Sequence, residues 1–248
     1  LGVPDETPLA FLDEIYEGIN ATAGKWGIAV VGGNVTRTEG PFFIDVFIAG
    51  EVARENLLLR SGARAGDQIL VTGNLGNSAA GLYLITHPEV KIGHETNTVL
   101  THSHLRPQPR VAEAQAISAL RLATAMMDIS DALTGDIKHI CEASGVGAVI
   151  WELELPISTP VLNLASMVRI DPKEWALHGG EDYQLLLTAP LSAVPALQEA
   201  VRSVGGGALS PIGEILPASE GLLLQTCAGR VPLKVKSWDH FRGPKAGQ

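Results

Sequence analysis

An α+β fold built in two parts is predicted by three observations. Short apolar strands rich in β-branched and aromatic residues mix irregularly with helical stretches, the turns between them are glycine-rich, and "RSGARAG", residues 60–66, separates two apolar regions with small and charged residues. At 248 residues and 46% apolar composition, the chain can bury one large core or two smaller ones. The expected division is a short mixed domain over residues 1–61 and a larger α+β domain over 62–248.

In the first part, Thr7 is placed to cap a helix whose first position is Pro8. Leu9, Leu12, Ile15, Tyr16 and Ile19 form its apolar stripe, and Gly24 and Gly27 mark its end. "IAVVGG" and "FFIDVFIAGEV" then read as strands. In the second part, "DQILVTGNLGNSAAGLYLI" predicts a strand, a glycine turn and a helix. A polar connection from His87 to Pro109 leads to an alanine-rich helix from about Val111 to Ala125. A further helix carries Leu133, Ile137 and Ile140 on one side and ends near Gly145. "VGAVIWELEL", "DYQLLLTA" and "ALSPIGEIL" read as strands, and "SAVPALQEAVRSV" as a short helix. There is no tandem repeat.

The 18 basic residues against 27 acidic ones, a net charge of −9, exclude a broad nucleic-acid surface but leave room for a nucleotide held through metal ions. No apolar run is long enough to cross a bilayer, and residues 1–20 lack the basic start and apolar centre of a secretory signal. Cys141 and Cys227 form no C-x-x-C motif, so a reduced, cytoplasmic protein is expected. Leu1 in place of an initiator methionine is read as a processed chain or part of a longer one.

Chemistry concentrates in a few turns. "MMDISDALTGDIKHI", residues 126–140, sets Asp128 and Asp131 at a turn into a helix, where carboxylates suit magnesium and backbone amides can face phosphate oxygens; alternatively Ser130 or Asp131 simply caps that helix. "VVGGNVTR" offers Gly32 and Gly33 for close backbone approach to a nucleotide and Asn34 as an oxygen donor, or merely a tight turn. "TGNLGNSAAG" lacks the P-loop lysine and the full dinucleotide pattern, so Gly73, Gly76 and Gly81 are as well explained by a turn and close helix packing. Arg60 is placed to pair with phosphate or to form a surface ion pair. In "HGGEDYQLL", Glu181 is suited to hold substrate or water at a strand mouth, and Asp182 to satisfy the turn's amides. His87, His94, His102 and His104 fit no metal pattern and are expected in a solvent-facing loop. Trp238 in "SWDHF" can stack on an aromatic substrate or pack the tail.

Taken in order, "VVGGNVTR", "LLLRSGARAGDQILVTGNLGNSAAGL", "MMDISDALTGDIKHI", "HGGEDYQLL", "PIGEI" and "SWDHF" resemble the thiamine-monophosphate kinase family of the aminoimidazole-ribonucleotide-synthetase-like superfamily, from about Gly2 to Phe241. The resemblance implies that family's two-domain fold, with an incomplete N-terminal domain for ATP binding and dimerisation. It implies ATP-dependent, magnesium-assisted phosphorylation of thiamine monophosphate to thiamine diphosphate, with room for a monovalent cation. By the same resemblance, Asp128, Asp131 and Asn34 match metal ligands; Gly33, Asn34, Arg60 and Ser130 match nucleotide contacts; and Glu181 and Trp238 match substrate contacts, with Phe241 as the second choice for the aromatic. Asp128, Asp131 and Arg60 would carry the catalytic charge stabilisation. A homodimer is implied where the full N-terminal domain is present, since the family's subunits dimerise through N-terminal sheets; related kinases also carry further acidic metal-binding motifs upstream.

Two departures stand out. Asn34 sits where the family commonly has aspartate, which removes a charge from one metal position. Ala132 replaces a glycine, which is harmless if the backbone there is helical and strained if its φ is positive. Two other readings compete: a synthetase-like ATP-dependent enzyme of the same superfamily, and a catalytically impaired nucleotide-binding or assembly fragment.

Overall fold

The computed structural model describes residues 1–236, which divide into two compact units, Leu1–Val52 and Ala53 onward. The division falls ahead of the boundary expected after residue 61. Leu59 is tied to the second unit, its carbonyl accepting the N–H of Met126.

The first unit carries β1 (Gly2–Val3), α1 (Leu9–Lys25) and β2 (Thr36–Arg37). β1 and β2 pair in parallel, Gly2 opposite Thr36, and Phe11 meets Phe42 edge to face at 5.5 Å. Several sequence expectations fail here. The residue flanking α1 is Pro8, with no side-chain cap from Thr7. "IAVVGG" and "FFIDVFIAGEV" form no strand, because a strand exists only where a partner ladder accepts its amides, and within this unit Phe43 alone finds a bridge, to Gly2.

In the second unit the elements run β3 (Asp67–Thr72), α2 (Asn77–Thr86), α3 (His94–Leu105), α4 (Val111–Leu120), β4 (Ala125–Asp128), α5 (Leu133–Ser144) and β5 (Val146–Trp151). They continue with α6 (Thr159–Val168), α7 (Pro172–His178), β6 (Leu185–Pro190), α8 (Val194–Ser203), β7 (Leu209–Pro217), β8 (Leu222–Thr226) and β9 (Gly229–Pro232). The seven strands form one sheet in the order β4-β6-β3-β7-β5-β8-β9. All neighbours are antiparallel except β5 and β8.

Residues of β3 are buried on both faces, and its side chains alternate between two cores. Ile69 and Val71 join Leu133, Ile137 and Ile140 of α5 on one face, whereas Leu70 joins Ile117 of α4 and Leu197 and Val201 of α8 on the other. Each such fully buried aliphatic side chain contributes about 1.5–3 kcal/mol of transfer free energy. A third core lies among helices, where Ala80 and Leu84 of α2, Leu100 of α3, Val161 and Leu164 of α6 and Trp175 of α7 pack together.

Two helix boundaries differ from expectation. The alanine-rich helix stops at Leu120, where Arg121 takes a left-handed turn (φ 56°), and Ala125–Asp128 pairs with β6 as an edge strand. The stretch expected as a polar connection contains α3, whose one buried residue, Leu100, is enough to seat it on α2. No helix among the described residues is long and apolar enough to cross a membrane.

Candidate active site

β4 and β6 are antiparallel neighbours, with Asp128 opposite Leu185, so the turn after β4 and the turn before β6 meet at one end of the sheet. The pairing continues past both strands. Ile129 N–H donates to the Gln184 carbonyl, Tyr183 N–H to the Ile129 carbonyl and Glu181 N–H to the Ser130 carbonyl, at 2.8–2.9 Å. Gly180 is required by this approach, because a Cβ there would stand 2.7 Å from the Ser130 carbonyl oxygen. Glu181 (φ 64°) and Tyr183 (φ 48°) both lie in the left-handed region, a conformation costly for residues with side chains and held only where surrounding contacts fix it.

The two motifs therefore put Asp128, Asp131 and Glu181, all exposed, around the half-buried Tyr183. Burial first, then the charges of Glu181, Asp128 and Asp131, hold the Tyr183 phenol above its ordinary value. Ser130, Asp131 and Glu181 share the wall of a cleft of about 940 Å³ with Ser78, Tyr83, His104, Trp175, His178 and Lys236. Asp128 opens instead onto a neighbouring hollow of about 540 Å³ lined by Arg60, Leu59, Met126 and Met127.

Neither Ser130 nor Asp131 caps α5 with its side chain, contrary to the simpler sequence reading. Asp136, one turn inside the helix, reaches back: its Oδ2 accepts the N–H of Ser130 at 3.1 Å and of Asp131 at 3.3 Å. Burial pushes the Asp136 carboxyl up to about 6, against the lowering effect of those amides. Ala132, between turn and helix, has φ 135° and ψ 149° and is fully buried. This is the strained alternative for the residue that stands in place of glycine.

The glycine turn before α2 is closed by protein atoms. Asp182 Oδ2 accepts from Gly76 N–H and Oδ1 from Ser78 N–H, so the helix N-terminus that would otherwise face an anion already has its acceptor. The turn reading of this segment holds, whereas Asp182, expected to satisfy the amides of its own turn, instead satisfies those of the turn before α2.

Sequence reasoning missed His104. It was expected in a solvent-facing loop, but it lies in the last turn of α3, its side chain 17% exposed, with Nδ1 2.9 Å from Ser78 Oγ and 3.4 Å from Glu181 Oε2. Thr134 was missed as well: its hydroxyl donates to the Lys236 carbonyl and sits 3.3 Å from His178 Nδ1, holding the end of the described chain at the cleft. Burial, with help from Lys236 and Lys234, keeps the His178 imidazole below its ordinary value. Gly33 and Asn34 lie exposed in the first unit, just before β2, while Trp238 and Phe241 lie outside the described residues.

Among the described residues no three His, Cys, Asp or Glu side chains converge as a metal cage. Two exposed carboxylates do suit magnesium, a hard cation that takes one or two protein carboxylates and completes its shell with water and substrate phosphate.

Comparison with known proteins agrees along the chain. The N-terminal domain of the AIR synthase related proteins matches residues 1–52, and their C-terminal domain matches 64–223. The thiamine-monophosphate kinase of Salmonella typhimurium is 36% identical over 239 residues, covering 95% of this chain and 69% of the relative. The thiamine-monophosphate kinase of Aquifex aeolicus is 36% identical over 190 residues, covering 77% of this chain and 60% of the relative. A solved structure of AaThiL complexed with AMPPCP and TMP superposes with a TM-score of 0.78 at 30% identity, covering 97% of this chain and 71% of that one. In these three comparisons the chain spans 60% to 71% of the length of the protein matched.

Proposed function

We propose, from the premise that this chain belongs to the thiamine-monophosphate kinase family of the AIR synthase related proteins, that it transfers the γ-phosphoryl group of ATP to thiamine monophosphate, giving thiamine diphosphate and ADP. The observation that carries this reading is the backbone pairing of the Asp128–Asp131 turn with the Gly180–Tyr183 turn, which gathers three exposed carboxylates at one sheet end beside a substrate-sized cleft.

In this reading Asp128 and Asp131 would hold magnesium in the second unit, and Asn34 stands at a metal-ligand position of the first unit, where it offers a neutral oxygen donor. Bound magnesium supplies charge neutralisation on the phosphates. Arg60 pairs with a phosphate oxygen, while Ser130, Gly33 and Asn34 orient the nucleotide. Glu181 contacts thiamine monophosphate from the cleft wall. The attacking atom is an oxygen of the acceptor's monophosphate, already ionised at neutral pH, so no strong general base is required. The chain's contribution is alignment and electrostatic stabilisation, without a phosphorylated side chain. We infer that nucleotide and dimer contacts concentrate in the first unit and substrate contacts in the second, that the assembly is a homodimer working in the cytoplasm, and that a monovalent cation can assist.

The test is ATP- and magnesium-dependent formation of thiamine diphosphate from thiamine monophosphate, with the product identified by mass. Product supports the reading. Folded protein that binds ATP and yields no product would sink it in favour of a nucleotide-binding role, a reading that the neutral Asn34 favours.

A further inference from the structure

We propose that His104 is a positioning residue that holds the Glu181 carboxylate in its substrate-facing orientation, a role that rests on the function proposed above and extends it. Glu181 is exposed, so packing does little to restrain its side chain even though its backbone is fixed by the Ser130 carbonyl. The carboxylate has one cationic or hydrogen-bonding side chain against it among the described contacts, His104, with Nδ1 3.4 Å from Oε2.

His104 is in turn well fixed. Its Nδ1 lies 2.9 Å from the Oγ of Ser78, which is fully buried and whose N–H is held by Asp182 Oδ1 at 3.0 Å. Nδ1 thus lies within reach of both the Ser78 hydroxyl and the Glu181 carboxylate, and an N–H at this position is the form that can donate to the carboxylate. The result is a closed circuit in which Asp182 grips Ser78 by its backbone, Ser78 meets His104 by its hydroxyl, and His104 returns to Glu181, the residue next to Asp182.

Helix packing sets the approach. A Cβ on Gly81 would stand 2.1 Å from the Leu100 carbonyl and 3.3 Å from His104 Cβ, so the absence of a side chain on α2 is what lets α3 bring His104 to the cleft.

The experiment is a double-mutant cycle in the full native chain, with steady-state kinetics for both substrates. His104→Ala is expected to raise KM for thiamine monophosphate roughly tenfold, as for loss of a charge-assisted contact, with KM for ATP little changed and the melting temperature lowered by loss of the Ser78 contact. His104→Asn, whose amide can replace Nδ1 as donor, is expected to recover most of the loss. In a Glu181→Ala background, which removes the acceptor, His104→Ala is expected to add less than about twofold, because the contact is already gone. Additive effects, or an equal rise in KM for ATP, would overturn the positioning role while wild-type turnover leaves the kinase reading standing. A wild-type protein that neither binds nor phosphorylates thiamine monophosphate would overturn both.

Discussion

The Asp182 carboxylate accepts the Gly76 N–H at 2.6 Å, so an acid from the turn before β6 closes the N-terminus of a helix more than a hundred residues earlier in the chain. Burial pushes this carboxyl from 3.8 up to about 6, although the amides of Gly76, Ser78 and Asn77 oppose the shift. The folded protein therefore binds this proton more tightly than the unfolded chain. The group's contribution to stability is fully present below about 3.8 and is lost as pH rises through about 6. Asp182→Asn should flatten that limb of the melting-temperature profile between about 4 and 6, and Asp182→Ala should cost about 1–3 kcal/mol by orphaning the α2 amides. Thermal unfolding across this range, on wild type and both variants, checks it.

Ala132 carries a fully buried side chain at φ 135°, in a region open essentially to glycine alone. Ala132→Gly should release about 1–3 kcal/mol of strain and give back roughly 0.8 kcal/mol of methyl burial. The expected net is a rise in the denaturant midpoint with an unchanged slope. A lower midpoint would mean that the neighbouring backbone hydrogen bonds, Gly135 and Asp136 N–H to the Ala132 carbonyl, already absorb the strain.

Gly81 is the contact point of α2 and α3. Because a Cβ would meet backbone, the Leu100 carbonyl at 2.1 Å, neither helix can yield by a rotamer change. Gly81→Ala should lower unfolding free energy by about 1–3 kcal/mol, measured by urea denaturation. A neutral outcome would show that α3 slides on α2.

How much of this could be read in advance varies with the range of the forces involved. β3 was legible because an apolar run bounded by turns is buried on both faces, and α5 because Leu133, Ile137 and Ile140 repeat at helical spacing. α6 and α7 escaped although Ser158 and Asp171 cap them ahead of Pro160 and Pro172; both are short, and their signals lie in caps more than in periodicity. The acidic turns at Asp128–Asp131 and Glu181–Asp182 stood out as chemistry on their own. Their pairing through Ser130 and Glu181 joins residues far apart in the chain and has no local trace. His104 stayed hidden for the same reason, as a polar residue on a polar helix that one buried leucine anchors.

Metal affinity should depend on charge count at the two turns. Asp128 and Asp131 are exposed, so Asp128→Asn and Asp131→Asn should leave cooperative unfolding intact while each lowers turnover by at least about a hundredfold, the scale of losing transition-state charge stabilisation. Asn34→Asp works in the opposite direction. It adds a hard anionic oxygen where the present side chain offers only a neutral one, so the magnesium concentration for half-maximal turnover should fall. A magnesium titration at fixed ATP, run on all three variants, separates the cases: a lower requirement in Asn34→Asp supports a metal-ligand role for that residue, whereas an unchanged requirement would remove that role.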